Sequence, residues 1–198
     1  MSTWQELDAT VKSRITAANQ GERVLFATGT AERLMRAHEA LPEEDQREFT
    51  LSLRPLLEFV WEAALGDCTA FRDIKQALGS FYLSDYWHND GQDGPDDADD
   101  DTAAAVLFAA EAFMHGCVEF SAWAGARAAD AAYNREEEAD PATSDPLVDE
   151  LHRQLRDLDR IAQYAKDVQH AAMGLGVDVI ARLRETLRPA LSRIDDSQ

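Results

Sequence analysis

Between Ala103 and Ala126 nearly every position is small or apolar, AAAVLFAAEAFMHGCVEFSAWAGA. Alanine and leucine favour helix, and a helix that is apolar nearly all round must be enclosed by other elements. The longest uninterrupted apolar run, Ala103–Ala110, falls far short of the roughly 20 residues a membrane span needs. The segment therefore predicts the long central helix of a packed bundle, over about Thr102 to Asn134.

The rest of the chain supplies its neighbours. Apolar residues recur at three and four rather than two, so no strand is expected. Ser2 or Thr3 caps a first helix with Leu7, Val11 and Ile15 on one face, and Gly21 breaks it. A second helix, Glu22 to Ala40, turns Val24, Ala27, Ala31, Leu34 and Met35 inward. In the segment Glu43–Leu65, Pro55 either kinks one helix or opens the second of two, and Gly66 caps its end. A fourth helix, from Thr69 to Trp87, buries Phe71, Ile74, Leu78 and Phe81. The clearest start signal is Ser144-Asp145-Pro146, an N-cap followed by proline at the first helical position. The helix it opens carries an apolar stripe from Leu151 through Leu155, Leu158 and Ile161 to Ala165 and Val168, with Asp149→Arg153 and Arg153→Asp157 pairs on its exposed side. Gly174 and Gly176 bracket a break before a last helix with Ile180, Leu183, Leu187, Leu191 and Ile194. The expectation is one all-α domain spanning residues 1–198, a bundle of six to eight helices.

Two polar connections interrupt the pattern, an acidic loop over 88–101 and a second over 135–143. The first holds Asp90, Asp93, Asp96, Asp97, Asp99, Asp100 and Asp101, which supply seven of the nineteen net negative charges. So many crowded carboxylates resist packing; such a loop stays solvated, binds cations or meets a basic partner. Read in calcium-loop register from Asn89, Gly94 falls correctly at position six and Asp93 at five. Position three is then Gly91, and position twelve is Asp100 rather than glutamate, so the match fails where the site is defined. Tyr82, Tyr86 and Trp87 precede the tract, and aromatics beside acidic residues suit a basic protein surface. The net charge of −19 argues against direct contact with nucleic acid or an anionic membrane, which both require clustered Lys and Arg.

Within the apolar segment, Glu111, His115 and Glu119 stand at four-residue spacing, which aligns them on one face of a continuous helix. Such a stripe can hold a metal, move protons, or mark an edge that reaches water. Asp149-x-x-His152 is an isolated near-match to bundle metal sites. Cys68 and Cys117 stand alone, without metal or disulfide spacing, and read as buried small hydrophobes in a cytoplasmic protein. No phosphate-binding glycine loop, HExxH or GxSxG is present, and no cofactor is implied.

Gly21–Leu34 (GERVLFATGTAERL), Leu53–Leu65 (LRPLLEFVWEAAL) and Glu150–Ile161 (ELHRQLRDLDRI), with the alanine-rich segment between, resemble the YjaG-like bacterial family over about residues 20–170. The strongest points are Glu32-Arg33 and Leu57-x-x-Val60-Trp61-Glu62. The resemblance implies a helical, cytoplasmic bacterial protein of unknown function and carries no catalytic residue. The aspartate tract departs from that family's pattern. The functional expectation is a non-enzymatic, acidic interaction domain, such as an immunity or inhibitor protein that neutralises a basic toxin. The alternatives are a metal-binding or enzymatic bundle using Glu111, His115 and Glu119, and a scaffold or homodimer.

Overall fold

The computed structural model describes residues 3–84, 101–136 and 145–194, and no strand occurs among them. All of the acidic loop but Asp101 lies outside the described residues, Asp90, Asp93, Asp96, Asp97, Asp99 and Asp100 included, as do the aromatic pair Tyr86 and Trp87 and most of the 135–143 connection.

Helix α1 (Thr3–Ala17) buries Val11 and Ile15. Asn19 then starts α2 (Gln20–Glu39) with a capping box: its side chain accepts from the Glu22 N–H, and the Glu22 carboxylate accepts from the Asn19 N–H. The break therefore lies at Ala18–Asn19, and Gly21 sits inside α2. Glycine is needed there for packing. A Cβ at Gly21 would stand 2.0 Å from the Val168 carbonyl oxygen.

Pro55 opens the second of two helices: α3 (Glu48–Ser52) is followed by α4 (Arg54–Ala64), with Pro55 in its first turn. Gly66 caps α4 as expected, with Asp67 N–H donating to the Glu62 carbonyl. Helix α5 (Ala70–Tyr82) buries Ile74, Leu78 and Phe81, whereas Phe71 is exposed.

The long central helix is replaced by two helices. Helix α6 (Asp101–His115) ends at Gly116, whose φ of +68° reverses the chain before α7 (Val118–Glu136). This is a left-handed C-terminal cap that glycine adopts without a Cβ penalty. The Gly116 N–H returns to the Ala112 carbonyl, and the two halves fold back against each other. Central position is shared by α6, buried continuously from Thr102 to Ala110, and α2, buried from Val24 to Arg33. Sequence reading missed the second because α2 carries Thr28, Thr30, Glu32 and Arg33 into the core.

Helix α8 (Pro146–Ala162) starts as predicted, with Asp145 accepting from the Val148 N–H. Its stripe ends at Ile161; Ala165 and Val168 belong to the short α9 (Ala165–Val168). The predicted Arg153→Asp157 pair is not on an exposed side: Asp157 is buried, and Arg153, whose charge acts on Asp157, donates to the Arg193 and Ile194 carbonyls. Helix α10 (Val177–Leu191) buries Leu183, Leu187 and Leu191, while Ile194 lies beyond it and is exposed. Both cysteines are exposed rather than buried, because both sit in turns at helix ends.

Two glycines separate packing from propensity. Gly21→Ala should destabilise the fold by about 3 kcal/mol, since backbone rather than a flexible side chain blocks the new methyl. Gly79→Ala, on α5 with open space around it, should stabilise by about 0.5–1 kcal/mol. Urea unfolding midpoints of the two variants check both signs.

Candidate functional site

Polar chemistry in the described residues collects in two places. The larger is centred on Glu32 and Arg33, consecutive residues of α2 that are 0% and 6% exposed. Successive helical residues point about 100° apart, so the two side chains serve different neighbours. Glu32 faces α4. Its carboxylate accepts from Arg54 at 2.7 Å, from Arg36 at 2.7 Å and from the Trp61 indole N–H at 3.1 Å. Arg33 faces α8, where Nη2 donates to Glu150 at 3.1 Å and Nη1 donates to Asp157. Gln154 extends the lattice, donating to Glu150 and to the Gly125 carbonyl of α7.

Burial and pairing compete at each group. Burial acts to raise the Glu32 pKa, but the bonds from Arg54, Arg36 and Trp61 outweigh it and hold the carboxyl below its usual range. Burial likewise opposes the Arg33 charge, and the Glu150 and Asp157 carboxylates overcome it, so the guanidinium stays charged. Asp157 goes the other way: burial, helped by the nearby Glu150, holds its carboxyl above the ordinary range despite Arg33.

The smaller cluster joins α5 to α6. The Tyr82 hydroxyl donates to Glu111 Oε1, while His115 Nε2 lies 2.9 Å from Glu111 Oε2. Burial and the adjoining Glu111 carboxylate hold the Tyr82 hydroxyl above the usual phenol range, so it remains a donor. Tyr82 is half-buried against the apolar core, next to Phe81 at 5.5 Å between ring centroids. It thus closes the core edge.

The structure brings Glu111 and His115 together and separates Glu119 from them. The turn at Gly116 moves Glu119 to the first turn of α7, where it is exposed. Three residues expected in line on one helix are therefore divided between two. Among the described residues no group of three His, Cys, Asp or Glu side chains is placed to hold a metal ion. His152 is exposed on α8, and Asp101 begins α6, 3.6 Å from Arg127. Sequence reading noticed Glu32-Arg33 only as a family motif; its ionic role lay hidden because Glu150 and Asp157 are 117 and 124 residues away. No helix among the described residues is long and apolar enough to cross a membrane.

The chain matches no family model, no curated protein and no solved structure.

Removing Arg33 strands two buried carboxylates. Arg33→Met should cost about 3–5 kcal/mol, and Asp157→Asn markedly less, since Glu150 still meets the guanidinium; chemical denaturation at neutral pH compares them. The two carboxyls also differ in sign against pH. Glu32, lowered from 4.5, contributes stability that is complete above that value and lost as pH falls through its folded pKa. Asp157, raised from 3.8, contributes stability below that value that is lost as pH rises through its folded pKa. Glu32→Gln should therefore flatten the loss of stability below pH 4.5, measured by melting temperature against pH.

Proposed function

We propose that the chain is a non-enzymatic acidic interaction domain whose partner is a basic protein, of the kind that an immunity or inhibitor protein neutralises in a nuclease toxin. We also propose, on the motifs quoted above, that it belongs with the YjaG-like helical family and acts in the cytoplasm.

The observation that carries the reading is how the basic side chains are used. Arg33, Arg36 and Arg54 are committed to carboxylates of the core lattice. At the surface Arg14 pairs with Asp159 at 2.8 Å, Arg182 with Asp167 at 2.7 Å, and Arg184 and Arg188 with Glu62 and Glu58. Arg153 and Arg160 donate to backbone carbonyls at the end of the last helix. Much of the positive charge is thus engaged within the chain, and a surplus of carboxylates, −19 overall, is left to act on its surroundings. Trp4 and Tyr133 line one surface cleft with Asp8, Asp130 and Asp145; these rings and Trp123 are 42–57% exposed and supply the aromatic anchors that interfaces favour.

A second reading, a metal-binding or proton-moving site, rests on the Tyr82–Glu111–His115 cluster. Elemental analysis of protein purified without tag or chelator tests it, and Glu111→Gln behaving as wild type would remove it.

The leading reading predicts a complex whose association rate falls by about tenfold or more between low and near-molar salt. Stopped-flow mixing with the partner recovered from the native host at low salt measures this. Deleting residues 89–100 should slow association while leaving the melting temperature unchanged. Recovery of no basic protein at low salt would count against the reading, and so would a rate indifferent to salt.

A further inference from the structure

Three helices away from the ion lattice leave a cleft between them. Trp4, Asp8 and Lys12 recur at four-residue spacing on α1, and Ala126, Asp130 and Tyr133 share one face of α7. With the start of α8 they enclose about 610 Å³, and ligand pockets span roughly 300–1,000 Å³. Ala126 and the buried Leu151 make part of the lining apolar. Trp4 and Tyr133 are exposed, so both rings are open to an occupant.

The charged groups of this cleft are acidic in excess. Lys12 is the cation among the lining residues, and it donates to Asp8 Oδ2 at 2.8 Å, leaving that pair neutral. Asp145 caps α8 through Oδ1, which accepts from the Val148 N–H, and keeps its negative charge. Asp130 is exposed, and the cation beside it is Arg127 at 3.7 Å, beyond hydrogen-bond distance. Arg127 also lies 3.6 Å from Asp101, so it answers two carboxylates at once. Asp130 therefore keeps accepting capacity, one helical turn from the Tyr133 ring. Because no group of three carboxylate, imidazole or thiol side chains converges among the described residues, the cleft suits an extended organic cation rather than a metal ion.

Rings beside carboxylates distinguish between organic cations. A guanidinium is planar and weakly hydrated, stacks on aromatic faces and donates to carboxylates in a fork. An ammonium is compact and strongly hydrated and does neither as well. We propose that this cleft receives an arginine side chain of the basic partner, its guanidinium lying over the Tyr133 ring and donating to Asp130. The inference rests on the basic-partner reading and names where on this chain, and through which residue type, that partner is held.

The test needs no partner. The full chain is titrated with the blocked tripeptide acetyl-Ala-Arg-Ala-amide, followed by methyl chemical shifts of Ala126 and Ala129, which line the cleft. Saturable binding with a dissociation constant of about 1 mM or tighter is expected. The citrulline tripeptide, of the same shape without the charge, should bind at least about tenfold more weakly, and the lysine tripeptide at least about threefold. Tyr133→Leu should weaken the arginine peptide about threefold, while Tyr133→Phe, which keeps the ring, should stay within about twofold of wild type. Asp130→Asn should weaken it about fivefold. Asp178→Asn removes the same charge on α10, outside the cleft, and should change affinity less than about twofold. Tyr133 and Asp130 are exposed, so these variants should keep the wild-type melting temperature. Shifts that do not saturate, equal affinity for the citrulline or lysine peptide, wild-type affinity in Tyr133→Leu, or equal losses in Asp130→Asn and Asp178→Asn would each overturn the proposal. Such a failure leaves the basic-partner reading standing, whereas recovery of no basic protein removes that reading, and with it the proposed occupant, whatever the peptide does.

Discussion

The structure depends on two adjacent charges that serve different neighbours. Glu32 and Arg33 are neighbours on α2, but one is bonded to Arg54 and Trp61 of α4 and the other to Glu150 and Asp157 of α8. A buried charge is tolerated only while its partners stay within bonding distance. If α2 turned by one residue or slid by one step, both charges would be stranded together. The arrangement therefore fixes the rotation and register of the helix around which the others pack. It does so without adding much net stability, because apolar residues of equal volume can often replace a buried ion pair. Its effect is selective: wrong packings are penalised more than the right one is favoured.

The same constraint explains why a helix as polar as α2 occupies the centre. Helix α6 is buried because it is apolar on every side, which the sequence displays openly. Helix α2 is buried because its polar groups find partners, which becomes visible only once the chain has folded. Legibility in this protein follows sequence distance. The Asp145–Pro146 start of α8 was readable since cap and capped N–H lie three residues apart. The Gly66 cap and the division at Pro55 were readable for the same reason. The partners of Arg33, more than a hundred residues away, left no local trace.

The turn at Gly116 is the instructive intermediate case. Its signal is local: an apolar run ending in His115-Gly116, a basic last turn followed by a glycine cap. It was outweighed by the alanine-rich composition on both sides, which favours a continuous helix whichever way the glycine is read. Composition states that both segments are helical and buried; it does not state that they are the same helix. The candidate metal stripe inherited that error. Glu111 and His115 share a face one turn apart within α6, so their pairing survived. Glu119 lay across the unrecognised turn and was lost from the set. Cys68 and Cys117 failed in the same manner, since apolar neighbours in sequence said nothing about their location in turns.

Charge in this chain is sorted as well as unbalanced. With arginines such as Arg14, Arg182, Arg153 and Arg160 engaged by carboxylates and carbonyls of the same molecule, an approaching partner meets the unpaired part of the acidic excess. That excess also acts on the protein itself, because like charges oppose a compact state. Internal pairing lessens this repulsion where it is strongest, at short range inside the bundle, where screening by salt is weakest. The long-range field, which steers association, depends on the net charge and is left intact. Folding and recognition therefore draw on different parts of one charge distribution. Salt reaches the outer part and leaves the Glu32–Arg33 lattice largely untouched, so the bundle can keep its register under conditions that abolish attraction for a partner.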